Sequence, residues 1–133
     1  MINGEGELYY PNKDYYKGFF EKGLKVREGL MKFNNGNVYK GEFKDDRIEG
    51  KGKLYFSNGD VYEGDFIDNR LEGRGVFVNK DGDRYEGEWL DNQRHGKGRY
   101  VYINGDIYDG DWREDEKEGY GIYSFANGDV YEG

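Results

Sequence analysis

The chain contains no cysteine and no threonine, one proline (Pro11), one histidine (His95) and two serines (Ser57 and Ser124) in 133 residues. Without cysteine there is no disulfide and no thiolate metal site within this chain, which is compatible with a cytosolic protein. One histidine and two serines do not supply a nucleophile–histidine arrangement of the hydrolase kind. Apolar runs are equally scarce: none approaches a membrane span or the core of a secretory signal. Positive charge is in deficit, with a formal net charge of -8. That argues against nucleic-acid binding, which uses a basic footprint, and weakens attraction to anionic lipid. Hydrophobic residues make up 35% and charged residues 36%, a balance that by itself suggests disorder. The aromatic share of 18% argues the other way, for a folded chain whose apolar surface is concentrated in rings.

Those rings are periodic. A tyrosine returns every 23 residues at Tyr16, Tyr39, Tyr62, Tyr85, Tyr108 and Tyr131. A glycine follows each by two positions, and Phe20, Phe43, Phe66, Trp89 and Trp112 follow by four. A fixed period of this size marks a repeat array, which offers a long surface in place of a single cleft. Units drawn at the turn glycine run 14–36, 37–59, 60–82, 83–105 and 106–128, with a half unit at 1–13 and a partial one at 129–133.

Within the unit 60–82, Val61 to Phe66 alternates large apolar residues or glycine with charge, the period of a strand with one wet face. Ile67 to Glu72 reads as a six-residue polar connection, and Gly73 to Val78 as the second strand. Asn35-Gly36, Asn58-Gly59, Asp81-Gly82, Asn104-Gly105 and Asn127-Gly128 recur at one slot. Such pairs tolerate positive φ at both central positions, so the sequence predicts two-residue type I′ turns there. The predicted fold is all-β: an elongated, single-layer antiparallel meander of 23-residue hairpins, twisted or curled into a groove.

Glycine weakens a strand, so its recurrence implies that something needs the space. Gly64 and Gly75 share a face with Tyr62, Phe66 and Phe77, which predicts rings lying flat on bare backbone. The opposite face carries Glu63, Asp65, Glu86, Glu88, Asp109 and Asp111 on first strands, and Lys51, Lys53, Arg74, Lys97 and Arg99 on second strands.

Tyr85-Glu86-Gly87-Glu88-Trp89, then Arg94-His95-Gly96-Lys97-Gly98, Tyr100, Tyr102 and Asn104-Gly105-Asp106, resembles the MORN (membrane occupation and recognition nexus) repeat over about residues 4–133. The resemblance implies stacked hairpins that serve as scaffolds or adaptors, found with cytoskeletal structures, cilia, division machinery and membrane junctions, or appended to enzymes. The sequence departs from the pattern at Arg27 in the first glycine column, Lys13 in the turn-glycine column and Asn79 in an aromatic column; the first repeat is therefore expected to act as a cap. The chain begins in the second half of a unit and stops just before the next aromatic, so a longer array, or an end that pairs with a second copy, is expected.

No catalytic, cofactor or metal site emerges. His95 takes a slot that holds Glu49, Glu72 and Glu118 in other repeats, and the carboxylates repeat along a solvated face. Gly50-Lys51-Gly52 and Gly96-Lys97-Gly98 lack P-loop spacing. The sequence instead points to a non-catalytic adaptor in the cytoplasm, at cytoskeletal or membrane-associated structures. It would hold an amphipathic helix, a basic tail or a second copy. The candidate contacts are Tyr62, Phe66, Tyr85, Trp89, Tyr108 and Trp112, with Glu86, Glu88, Asp109 and Asp111 selecting basic side chains. The rival readings are a phosphoinositide-binding membrane-surface module using Lys51, Lys53, Arg74, Lys97 and Arg99, with weak attraction to anionic lipid, and the targeting segment of a larger enzyme.

Overall fold

The computed structural model describes residues 3–133; positions 1 and 2 of the first half unit lie outside it. Twelve strands form one sheet in sequence order, every neighbouring pair antiparallel. They are β1 (Gly4–Tyr9), β2 (Tyr15–Glu21), β3 (Leu24–Lys32), β4 (Val38–Lys44), β5 (Arg47–Tyr55) and β6 (Val61–Ile67), then β7 (Arg70–Val78), β8 (Arg84–Leu90), β9 (Gln93–Val101), β10 (Ile107–Arg113), β11 (Glu116–Ser124) and β12 (Val130–Glu132). There is no second layer, so the core lies on one face of the sheet.

That core is built on glycine. Gly64 pairs with Gly75, and Gly75 with Gly87, in a row that crosses the sheet. The Tyr62 ring covers this bare backbone. A Cβ on Gly75 would lie 2.3 Å from Tyr62 Cε1, closer than any side chain can pack. The tyrosine hydroxyl then reaches past the glycines, donating to the Asp65 carbonyl at 2.8 Å; Tyr39 and Tyr85 repeat the bond to Glu42 and Glu88 at 2.8 and 2.9 Å. From Phe66 onward each later aromatic stands edge-on between two tyrosines, whereas Phe43 stacks on Tyr39 and lies tilted to Tyr16. Trp89 meets Tyr62 at 5.2 Å and Tyr85 at 5.3 Å, with interplanar angles of 84° and 89°. Phe66 bridges Tyr39 and Tyr62 in the same way, and Trp112 bridges Tyr85 and Tyr108. Edge-to-face pairs contribute about 0.5–1.5 kcal/mol beyond area burial, and here they form a continuous zigzag from Tyr39 to Tyr108.

The two kinds of turn are the reverse of the sequence expectation. The expected six-residue connection is mostly strand, and its centre is a two-residue turn. Asp68 and Asn69 have φ of 47° and 67°, and Asp45-Asp46, Asp91-Asn92 and Glu114-Asp115 match them. Positive φ at both positions is the type I′ requirement. The Asn-Gly edge is instead a wider loop. Phe56 N–H donates to Asp60 O, Gly59 N–H donates to Phe56 O, and only the glycine, at φ 103°, is left-handed. This is a type I turn closed by a glycine bulge.

A second irregularity bends each unit. Between Gly64–Gly75 and Phe66–Leu71, Asp65 alone faces Glu72, Gly73 and Arg74. Asp65 Oδ2 accepts the Arg74 N–H at 3.0 Å, as Glu42 accepts that of Lys51 and Glu88 that of Lys97. A bulge bends its strand, so both strand ends rise around the aromatic face.

Candidate functional site

The raised strand ends enclose a groove of about 930 Å³ on the aromatic face. Its floor is the edges of Phe43, Phe66 and Trp89. One wall is apolar: Phe33, Leu54, Phe56, Phe77 and Tyr100, all half-buried. The other wall is made by the type I′ turns and the residues beside them, Lys25, Ile48, Leu71 and Arg94.

The turn wall is held by a ladder between repeats. Asn69 N–H donates to Ile48 O, and Asn69 Oδ1 accepts the Ile48 N–H at 2.9 Å. Asn92 closes the same two bonds on Leu71, Asp46 on Lys25 and Asp115 on Arg94. A parallel ladder runs along the loop edge, where Asn37, Asp60, Asp83 and Asp106 accept backbone N–H groups of Ser57, Lys80, Ile103 and Ala126 at 2.8–2.9 Å. These Asp/Asn columns are visible in the sequence at the 23-residue period, but there they read as solvated turn residues. Their role needs partners 20 and 21 positions away.

The turn wall alternates between two states. Where it carries a cation, the clipping residue is an aspartate. Lys25 Nζ lies 3.2 Å from Asp46, and Arg94 Nε lies 3.1 Å from Asp115 while its guanidinium covers Trp112 at 4.6 Å. Burial works to lower the Lys25 pKa, but the Tyr10 hydroxyl and Asp46 outweigh it and the net shift is upward. Where the wall carries Ile48 or Leu71, the clipping residue is an asparagine. The central two repeats are therefore open and apolar, and ion-paired repeats stand at either side.

Of the expected contact residues, Phe66 and Trp89 line the groove floor, though only 2% and 7% of their surfaces remain exposed. Tyr62 and Tyr85 are fully buried beneath it, and Tyr108 is buried as well. Trp112 lies under Arg94, outside the groove, with its Nε1–H donating to Gly98 O at 3.1 Å. Glu86, Glu88, Asp109 and Asp111 alternate with these rings along their strands and occupy the opposite face. The sheet thus separates the two halves of the expected site.

The opposite face is largely self-paired. Lys51 bonds Asp65 and Lys97 bonds Asp111; Arg74 stands opposite Glu88, and Arg99 opposite Glu86 and Asp109. Lys97 holds Asp111 below the usual carboxylate range. Asp65 is held low too: desolvation pushes it up, and the Lys51 ammonium and the Arg74 N–H more than offset that.

A single-layer sheet of stacked hairpins, with one aromatic face and a repeat-to-repeat ladder on each edge, defines a β-repeat array. The MORN repeat matches residues 1–15, 16–38, 39–61, 62–84, 85–107 and 108–130, and the chain belongs to the MORN-repeat family. These matches begin at the tyrosine column, two residues after the start of the units drawn at the turn glycine. No curated protein sequence matches the chain significantly. Among solved structures, the chain is similar to the SAS-4 (dCPAP) TCP domain of Drosophila melanogaster, solved in complex with a proline-rich motif of Ana2 (dSTIL). The identity is 17%, the TM-score 0.56, and the match covers 97% of this chain and 83% of that one. A match to virginiamycin B lyase from Staphylococcus aureus has 9% identity and a TM-score of 0.25 over 98% of this chain and 55% of that one.

Proposed function

We propose that this chain is a non-catalytic protein-interaction module that takes a segment of a partner protein into the groove. The carrying observation is the open stretch between the two ion-paired repeats. There the buried Phe66, Leu71 and Trp89 form the base of one channel, and the half-buried Ile48, Leu54 and Phe77 leave part of their apolar surface open along it. Concave, mostly apolar channels with a few placed polar groups are the usual form of a binding site. The fly domain with the same open-sheet fold takes a peptide motif, which supports a segment, not a globular face, as the occupant. As an adaptor of this kind the protein would work in the cytoplasm, at cytoskeletal or membrane-associated structures.

The test uses a pair of residues that the array already contains. Leu71→Arg, made together with Asn92→Asp so that the new cation has the partner Asp115 gives Arg94, should lay a guanidinium over Trp89 as Arg94 does over Trp112, closing the groove while leaving the sheet intact. Peptides selected from a displayed library on the wild-type chain should lose about tenfold or more in affinity for Leu71→Arg/Asn92→Asp, roughly 1.4 kcal/mol or more. Equal binding to both would place recognition outside the groove.

A further inference from the structure

We propose that the occupant is a polyproline-II segment running across the strands, one three-residue turn to each repeat, with an apolar residue at every third position. This rests on the groove reading and adds the conformation, register and chemistry of the ligand.

Each repeat contributes two strands, and neighbouring strands lie about 4.7–4.9 Å apart, so equivalent points on successive repeats are about 9.4–9.8 Å apart. A polyproline-II helix has three residues per turn at 3.1 Å each and returns to the same face every 9.3 Å or so. An α-helix first returns near this spacing after seven residues, about 10.5 Å. It falls out of step by about 1 Å per repeat. A β-strand covers a similar distance in three residues but turns its side chain to the opposite face, because its period is two. Among these conformations, polyproline II alone matches the array in both length and face.

Asn69 and Asn92 line the groove, and each Oδ1 is committed to a backbone N–H of the preceding repeat at 2.9 Å. That bond fixes the amide's orientation, because an N–H must meet the oxygen. Neither Nδ2 has a hydrogen-bond partner among the described residues. The wall therefore presents one free amide donor per open repeat. Polyproline II has no internal hydrogen bonds, and proline offers a carbonyl but no N–H. A proline-rich segment brings three carbonyl acceptors and a single N–H per turn to a wall that brings donors at the same spacing.

Ile48 accompanies Asn69, and Leu71 accompanies Asn92, so each open repeat combines an apolar contact, an amide donor and an aromatic floor, Phe66 or Trp89. On either side stand Lys25–Asp46 and Arg94–Asp115, where the clipping residue is a carboxylate that repels a carbonyl. The recognised core is thus two turns, with apolar anchors at positions i and i+3. Aromatic-lined grooves are a recurrent dock for such segments.

The experiment uses the full chain and three labelled probes, read by fluorescence anisotropy: four Leu-Pro-Pro units, three Leu-Pro-Pro-Pro units of the same total length, and a stapled amphipathic helix with leucines seven apart. The Leu-Pro-Pro probe should saturate below about 1 mM and bind at least about tenfold tighter than the period-four probe. Asn69→Asp/Asn92→Asp keeps the clip, since Asp46 and Asp115 already make it, and replaces both donors by acceptors. Its melting temperature should stay close to the wild type's, and its affinity for the Leu-Pro-Pro probe should fall about fivefold or more. Should the double variant melt early, Asn92→Asp alone carries the same comparison with an expected loss of about twofold or more. Equal affinity for period three and period four would overturn the proposal, as would an affinity unchanged by the asparagine variants. Preference for the helix, or no saturation by the Leu-Pro-Pro probe at about 1 mM, would overturn it too; the groove reading would survive if selected peptides still distinguish Leu71→Arg/Asn92→Asp. Failure of that second comparison as well would remove both.

Discussion

At the scale of single residues, stability rests on a tyrosine lying on two glycines. Gly75→Ala would drive a methyl group to within 2.3 Å of the Tyr62 ring. Neither the ring, locked between Phe66 and Trp89, nor the paired strand has room to move. Overpacking of a tight site costs about 1–3 kcal/mol, and urea denaturation should show at least that loss. Alkali acts on the same contact. Burial raises the pKa of Tyr16 to about 12 and pushes Tyr39, Tyr62 and Tyr85 up as well. An unfolded tyrosine ionises near pH 10, so above that pH the unfolded chain holds fewer protons than the folded one. The stabilisation is complete below pH 10 and is lost as pH rises toward the folded values. The melting temperature should fall steeply between about pH 10 and 12, with tyrosinate absorbance rising in step with loss of the sheet signal. Ionisation of these tyrosines without unfolding would contradict the burial argument. The tyrosine and glycine columns were legible in the sequence because identity, spacing and steric need all agree there. Which rings line the groove was not legible: both tryptophans are buried, and Trp89 reaches the groove floor beside Leu71 while Trp112 lies under Arg94.

At the scale of the element, the hairpins were legible but their two ends were exchanged. Asn-Gly is the strongest short signal for a type I′ turn, yet it also suits a type I turn that ends in a left-handed glycine. Asp68-Asn69 carries no glycine and still takes positive φ twice, because Asn and Asp tolerate that region and Asn69 gains two bonds to Ile48. Asn69→Ala should therefore cost about 1–3 kcal/mol, combining a lost hydrogen bond with an alanine forced to positive φ. Asn69→Gly should cost less, since it keeps the backbone freedom and loses only the side-chain bond. Chemical denaturation of the two variants checks the order; an alanine variant as stable as the glycine one would mean that the turn is not under conformational constraint.

At the scale of the whole molecule, each repeat touches its neighbours alone, and stability should be close to a sum over repeats and interfaces. Removing 60–82 joins Gly59 to Asp83 with every column still in phase. The shortened chain should fold with the same sheet spectrum and a lower melting temperature. It should also have one open repeat, Ile48 facing Asn92, in place of two. Its affinity for the Leu-Pro-Pro probe should fall about tenfold or more, as one of two subsites is gone; full retention would show that the two open repeats are not read together. The existence of a long aromatic surface was evident from the period. Its division into open and ion-paired stretches was not, because the Ile48–Asn69 and Arg94–Asp115 pairings join residues 21 positions apart.

The most direct test of the groove as the binding surface follows from the two tryptophans. Each gives a separate indole N–H resonance, and both are hydrogen-bonded to backbone carbonyls, Trp89 to Gly75 and Trp112 to Gly98. Trp89 lies in the floor of the groove, and Trp112 lies under Arg94. When the ¹⁵N-labelled chain is titrated with a groove-selected peptide, the Trp89 indole signal should shift to saturation while that of Trp112 stays in place. Equal movement of both signals, or shifts confined to the amides of Glu86 and Asp109 on the opposite face, would contradict the account.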